Sequence, residues 1–377
     1  MRQVSIVRCP DYESALVYSA VKEAVDLVGG IENYVRPGET VLLKPNILAG
    51  KSVEAGVTTH PAILRAALKL VTEAGAKVKV GDSSALGKTE KNAERAGLLE
   101  VCDEFNAEFV ELKTPVILKN PEARLFKRLE VAREATECDA IINLPKMKTH
   151  AQMYLTLGVK NLFGCVPGKK KLQWHLSTGT DTLSFATMLL DLAMLLKPRL
   201  TILDGVVAME GNGPASGDLR DVGLIMASPE PIALDRVAAE ALGAKPGDIP
   251  VLKAAANIDP ALVDLSKIEV KGEKIETVMV SGFKFPPLAD LDFSSILPYF
   301  IQKRVKKAMT SRPDIDAQFC ALCNVCVSLC PADAMERGSR IVIDYNSCIR
   351  CYCCQESCPQ GVISAREGWL KKLLPGL

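Results

Sequence analysis

Histidine is scarce in this 377-residue chain. There are three, His60, His150 and His175, and no His-x3-His spacing. That removes the usual scaffold for a mononuclear metal site, in which imidazoles one helical turn apart share an ion. Net charge is nearly absent as well, at +1 from 46 basic and 45 acidic residues. No global field draws the protein to nucleic acid or to a membrane surface, so any such contact must come from a local patch. Long apolar runs are missing. The longest, Leu183 to Leu196, carries Asp191, falls short of bilayer-spanning length and reads as a buried helix, so no transmembrane segment is expected. The opening "MRQVSIVRC" has no charged region followed by an apolar stretch; no secretory leader is read there, and a cytoplasmic protein is expected.

Nucleotide fingerprints are also lacking. "GDSSALGKT" follows an apolar run and precedes a helical one, as a phosphate loop does, but the gap between Gly81 and Gly87 is one residue too long for that pattern. "GNGPASG" (Gly211 to Gly217) has the wrong spacing for a dinucleotide loop, and Pro214 forbids a helix start in register. It reads either as a simple connection or as a loop that closes over a ligand. No flavin or nicotinamide motif appears.

Cysteine, by contrast, is plentiful and clustered. Nine of 13 lie between Cys320 and Cys358, while Cys9, Cys102, Cys138 and Cys165 are scattered. A stapled secreted protein would spread them evenly, so this clustering points to metal in a reducing compartment. The spacing is Cys320-x2-Cys323-x2-Cys326-x3-Cys330-Pro331, repeated as Cys348-x2-Cys351-x2-Cys354-x3-Cys358-Pro359. Two-residue gaps let one loop place three thiolates at three corners of a cubane, and the fourth cysteine of each run reaches the other cluster. Two 4Fe-4S clusters are therefore expected. Cys320, Cys323, Cys326 and Cys358 would hold the first, and Cys330, Cys348, Cys351 and Cys354 the second. Cys353 is left over, either a packed thiol or a redox sensor. The segment from Asp314 to Glu367 resembles bacterial-type two-cluster ferredoxins along its whole length.

Upstream, short apolar runs alternate with amphipathic helical ones. Strands are read at Val4, Thr40, Lys77, Ala107, Asp139, Arg199, Val222 and Ile268. Helices are read over Tyr12 to Val28, Pro61 to Ala74, Thr89 to Phe105, Thr182 to Leu196 and Pro231 to Leu242. The expected fold is α/β, a mostly parallel sheet with flanking helices, followed by a small α+β ferredoxin-like domain. Ligands in such sheets bind beyond the carboxyl ends of the strands. There the chain places Lys44 and Asn46; Asp82 and Ser83; Lys146, Lys148 and His150; and Asp204, Glu210 and Asn212, with Lys160 and Asn161 following a short helical stretch. These cationic and amide-bearing residues suit an anionic small molecule. Lys44, Asn46, Asp82, Ser83, Lys148, Lys160, Asn161, Asp204, Glu210 and Asn212 are the binding candidates. His150 is the candidate proton donor, with Lys146 beside it. The bland alternative is a set of polar loops and helix caps. Lys169, Lys170 and Lys171 read as a solvated turn or an anion patch, and Cys165 as a packed thiol unless it is exposed beside the lysines.

Taken together, Lys44-Pro45-Asn46, "GDSS", "NLPKMKTH", "GVKNLFG" and "LDG…MEGNGP" resemble the family of domain of unknown function 362, whose members often carry an appended two-cluster ferredoxin module. The resemblance covers nearly the whole chain. It implies this domain layout and the importance of these loops, and it names no reaction.

The expected domains are 1–285 (α/β), 286–313 (a linker with a short amphipathic helix), 314–367 (two-cluster ferredoxin-like) and 368–377 (a tail). The expected function is that of an iron–sulfur oxidoreductase, which delivers low-potential electrons to an anionic phosphate- or carboxylate-bearing substrate. The alternatives are a non-catalytic electron carrier or redox sensor whose α/β domain recognises a partner protein, and a non-redox transferase or ligase with structural clusters. The expected partner is a redox protein or a small electron donor. Near-neutral charge weighs against nucleic acid.

Overall fold

The computed structural model describes residues 2–84, 87–150, 152–167, 182–286 and 312–348, together with 354, 358, 360 and 362–366. The expected linker helix, the C-terminal tail, Lys169 to Lys171, His175, Cys351 and Cys353 lie outside these residues.

Residues before 287 form a mixed α/β unit. Its strands are β1 (Arg2–Arg8), β2 (Thr40–Pro45), β3 (Lys77–Asp82), β4 (Glu108–Glu111), the hairpin β5 (Pro115–Lys119) and β6 (Arg128–Ala132), then β7 (Ala140–Leu144), β8 (Lys146–His150), β9 (Tyr154–Thr156), β10 (Leu200–Glu210), β11 (Asp218–Ser228) and β12 (Ile268–Gly272). The main sheet has the order β12-β1-β11-β10-β7-β2-β3-β4, with β8 pairing β10 and β9. Pairing is parallel between β1 and β12, β10 and β7, β2 and β7, β2 and β3, and β3 and β4. β11 is antiparallel to both of its neighbours. Both faces are covered, as a mostly parallel sheet requires. Along β2, Val41 and Leu43 enter one core while Leu42 enters another, the period of two that an extended strand imposes.

Helix limits follow local chemistry. The helix Pro61–Glu73 starts with a proline at its first position, where a missing N–H costs nothing. It is capped by His60, whose side chain accepts from the Ala62 N–H. The expected helix from Thr89 to Phe105 is in fact two, Thr89–Arg95 and Leu98–Glu104, broken at Gly97 with φ +68°. The apolar helix Thr182–Leu196 is buried, and Asp191 within it is fully enclosed. Its carboxylate accepts from the backbone N–H groups of Arg124 at 2.8 Å, Leu125 at 3.0 Å and Phe126 at 2.8 Å.

Two stretches read as loops are strands. After Pro145 the chain re-enters the sheet as β8, because pairing with β10 and β9 satisfies its backbone. β10 continues past Asp204 through a bulge near Gly205 to Glu210, so Asp204 lies inside a strand and Glu210 ends it.

The C-terminal residues hold two small antiparallel pairs. One joins β13 (Arg312–Ile315) to β16 (Ile363–Arg366). The other is the hairpin of β14 (Met335–Arg337) and β15 (Ile341–Ile343). A helical turn at Val325–Ser328 precedes Cys330. Cys326, Cys330 and Cys354 are buried in a separate small core with Ala334, Met335, Ile341 and Ile363.

Candidate functional site

β2, β3, β8 and β10 bring three lysines, Lys44, Lys146 and Lys148, into the interior at the strand ends. Burying an ammonium is costly unless it is paired and hydrogen-bonded. Lys44 meets that condition fully. Its Nζ lies 3.0 Å from Asp82 Oδ1 and donates to Pro45 O at 2.8 Å and Asn161 Oδ1 at 3.2 Å. Asp82 is fixed in turn, accepting from the Ile47 N–H at 2.6 Å and the Ser83 N–H at 2.7 Å. Gly164 packs directly on this pair. A methyl group there would overlap the Asp82 carboxylate and the end of Lys44, so the close approach demands glycine.

Asn161 sits at the centre of an amide relay. Its Nδ2 donates to Lys44 O at 3.2 Å and Asn143 Oδ1 at 2.8 Å, and its Oδ1 accepts from Asn46 Nδ2 at 3.1 Å. The helical turn Gly158–Asn161 that carries it is anchored by buried Asp235, which accepts from the Gly158 N–H at 2.6 Å and the Val159 N–H at 3.1 Å.

Lys148 differs from its neighbours. It donates to Asn46 Oδ1 and Val57 O, each at 2.6 Å, and has no carboxylate partner among the described residues. Burial pushes its pKa down to about 7. Lys146, Lys160 and Lys44 act in the same direction, and Asp82 opposes them.

Lys146 pairs with Asp204 Oδ2 at 3.0 Å and also donates to the Tyr12 hydroxyl. The Tyr12 hydroxyl donates to Asp204 Oδ1 at 2.6 Å, and Asp204 Oδ2 also accepts from the His60 backbone N–H at 2.9 Å. Burial lowers the Lys146 pKa while Asp204 raises it. The Tyr12 ring stacks on the His60 ring, with centroids 3.5 Å apart and planes at 8°. His60 Nδ1 accepts from the Ala62 N–H at 3.1 Å, which puts the imidazole proton on Nε2. Burial, aided by the Lys146 and Arg65 charges, brings its pKa down to about 4 against the pull of Asp204. His60 is a neutral donor at ordinary pH.

The remaining candidates lie elsewhere or do other work. His150 ends β8, and its Nδ1 accepts from the Gln152 and Met153 N–H groups at 3.1 and 3.2 Å, as a turn cap does. Lys160 lies over the rings of Phe163 and Phe185, at 4.8 and 5.5 Å. Ser83 is buried behind Asp82, its N–H reaching Gly164 O at 3.1 Å. Glu210 accepts from the Lys284 N–H at 3.0 Å, and Asn212 is exposed in the turn beyond it. Cys165 is fully buried in a small apolar core. Tyr12, His60, Asn143 and Gly164 escaped the sequence reading. Only His60, next to a proline at a helix start, carried a local signal, and that signal is for a cap.

A second constellation lies at the C-terminal end. Cys320, Cys323, Cys326 and Cys358 line one small cavity, partly open to solvent, with Ile315, Ile341, Val362 and Ile363. Among the described residues no three His, Cys, Asp or Glu side chains are gathered as a single metal ion requires. The four cysteine thiols that line this cavity suit soft metals such as iron or zinc rather than hard cations. Cys330 Sγ accepts from the Ala334 N–H at 3.3 Å. No described helix is long and apolar enough to cross a membrane.

A mostly parallel α/β sheet with buried lysines at its strand ends, followed by a cysteine-lined cavity, defines the class. Residues 41–240 match the family described as Domain of unknown function (DUF362), and the chain belongs to that family. It is 41% identical over 254 residues to the thylakoid-associated protein sll1697 of Synechocystis sp., an alignment covering 67% of this chain and 78% of that relative. It is 34% identical over 79 residues to NADH-quinone oxidoreductase subunit I of Pelobacter propionicus, covering 17% of this chain and 42% of that protein, less than half of its length. Among solved structures, the lactate racemase apoprotein from Thermoanaerobacterium thermosaccharolyticum aligns over 61% of this chain and 55% of its own, with a TM-score of 0.39 and 13% identity.

Proposed function

We propose that this protein is an iron–sulfur electron-transfer protein, and that its α/β part binds a small oxyanion as the electron-accepting substrate. One observation carries the iron–sulfur half. Cys358, from the end of the second cysteine run, lines the same cavity as Cys320, Cys323 and Cys326 from the first. Four thiols around an apolar-walled space suit a 4Fe-4S cluster, with Cys330, Cys348, Cys351 and Cys354 for a second. When bound, such clusters supply reversible one-electron transfer. The partial likeness to a subunit of NADH-quinone oxidoreductase supports the same chemistry. The units would be 1–285, 286–313 and 314–367, with 368–377 as a tail.

For the α/β half, Lys148 is the binding cation, since it has no carboxylate partner among the described residues, and the neutral His60 and the Tyr12 hydroxyl, beside the Lys146–Asp204 pair, are the proton-bearing groups. His60 is placed ahead of His150 because it stacks on Tyr12 beside Lys146, whereas His150 sits at the far end of β8; in both rings Nδ1 accepts from a local backbone N–H. Lys44, Asp82 and Asn161 hold the frame, since the protons of Lys44 already have acceptors inside the protein. The burial of all three lysines favours a second possibility, an electron carrier whose α/β part recognises a redox partner protein. A location in the cytoplasm, or on a membrane surface as the relative's description as thylakoid-associated suggests, suits either role.

Anaerobic purification with iron and sulfide assay, followed by thermal melts with inorganic phosphate, sulfate and small dicarboxylates, tests both halves. A bound anion raises the melting temperature by mass action, and Lys148→Met should abolish that rise. Iron-loaded protein that no anion stabilises would leave the carrier role standing and sink the substrate role.

A further inference from the structure

Arg128, at the start of β6, bridges the α/β unit to the segment around Cys330. Its backbone N–H donates to Pro331 O at 3.0 Å. Its Nη1 donates to Val327 O at 3.0 Å and Ser328 O at 2.7 Å, at the carbonyl end of the Val325–Ser328 turn. Its Nη2 pairs with Asp333 Oδ1 at 2.9 Å. All four partner residues lie within three positions of Cys330. Of the donors that remain, Nε is buried and has no protein acceptor, the one such side-chain atom among the described residues. A buried guanidinium N–H without a partner is expensive, and a native structure that keeps one has a reason for it.

The placement of this side chain is enforced from behind. Asp191, enclosed in the helix Thr182–Leu196, holds the Arg124, Leu125 and Phe126 N–H groups, while Asn120 Nδ2 donates to Asp191 O at 3.0 Å. The loop that leads into Arg128 is therefore pinned to the α/β core. A buried carboxylate in an apolar helix is costly, and here it fixes the direction of one arginine.

We infer that Arg128 is a positioning and potential-setting residue for the cluster that Cys330 would ligate, its Nε–H offering the hydrogen bond to that cluster's sulfur and its fixed charge favouring the reduced state. This rests on the iron–sulfur function proposed above. Hydrogen bonds to sulfur and nearby charge are established levers on cluster potential. An arginine suits the task because it stays protonated and presents five N–H groups in a rigid fork, so two can tie the backbone while another faces elsewhere.

The test is an anaerobic redox titration of the full-length, cluster-loaded chain, followed by electron paramagnetic resonance, on the wild type, Arg128→Gln and Arg128→Lys. One of the two midpoint potentials should fall in Arg128→Gln while the other holds. Arg128→Lys should show a smaller fall, because the charge stays but the fork and its Nε–H are lost. Small-angle scattering reports whether the C-terminal module remains docked; should Arg128→Gln release it, Arg128→Lys decides. Unshifted potentials in a docked, cluster-loaded variant overturn the role of Arg128 alone. Absence of any reducible cluster in the wild type overturns the iron–sulfur function together with it.

Discussion

Lys148 Nζ rests 2.6 Å from Asn46 Oδ1, and the other acceptor recorded for it is a backbone carbonyl. The neighbouring ammonium groups of Lys44 and Lys146 have Asp82 and Asp204. Three buried lysines thus face two carboxylates, which leaves one positive charge to be removed by proton loss or matched by a ligand.

Stability should therefore depend on pH in a particular direction. The Lys148 pKa is depressed from 10.5 to about 7, so the unfolded chain holds this proton more tightly than the folded one. Its contribution to stability is complete above pH 10.5 and is lost progressively as pH falls toward 7. Melting temperatures of wild type and Lys148→Met, compared from pH 6 to pH 10.5, should show the wild type gaining on the variant as pH rises above 7. Parallel curves would mean that Lys148 keeps an ordinary pKa.

The Lys44–Asp82 pair sets a second expectation. Asp82→Asn leaves a fully buried ammonium opposite a neutral amide, a loss on the order of 3–5 kcal/mol. Gly164→Ala drives a methyl group into the same pair and should cost about 1–3 kcal/mol. Adding Lys44→Met to Asp82→Asn should restore part of the loss, since no unpaired charge remains. Urea melts measure all of these, and a double variant no more stable than Asp82→Asn would refute the pairing.

His60 gives a third. Its pKa is depressed to about 4 from 6.5, so its share of stability is present above about pH 6.5 and is lost as pH falls toward 4. His60→Gln should flatten the wild-type decline in that window. Nitrogen-15 spectra of the imidazole should show an unprotonated Nδ1 and a protonated Nε2 at pH 7. A ring that titrates near 6.5 would remove His60 as a neutral donor.

Much of this arrangement is legible in the chain before it folds. The helix at Pro61 and the strand at Thr40 declare themselves through proline placement and apolar spacing, which are local properties. The "KMKTH" segment is different. Its polar residues look like a loop, yet Lys146, Met147, Lys148 and Thr149 are all buried, because β10 and β9 supply their backbone partners from elsewhere. Tyr12 and His60 meet over Asp204 of β10, although the strands before them, β1 and β2, are separated by β11, β10 and β7, and no short window holds that information. Asp191 looked like an interruption in an apolar helix, and its purpose became visible only once residues 124–126 were seen to end on it.

The cysteine ring yields the last expectation. Two 4Fe-4S clusters would bring roughly eight iron atoms per chain and a matching amount of acid-labile sulfide. Cys358 shares a cavity with the first run although it belongs to the second, so Cys358→Ser should empty the first site and leave roughly four iron atoms. Cys330→Ser should lower iron to the same extent while removing the other paramagnetic signal, because that thiol belongs to the opposite cluster. If each run held its own metal without exchange, Cys358→Ser and Cys348→Ser would erase the same signal. If the thiols bound zinc, elemental analysis would find zinc without sulfide, and no variant would show a reducible centre. Iron and sulfide counts with one spectrum for each of Cys320→Ser, Cys330→Ser, Cys348→Ser and Cys358→Ser separate the possibilities, because only a crossed pairing makes Cys358→Ser resemble Cys320→Ser and differ from Cys348→Ser.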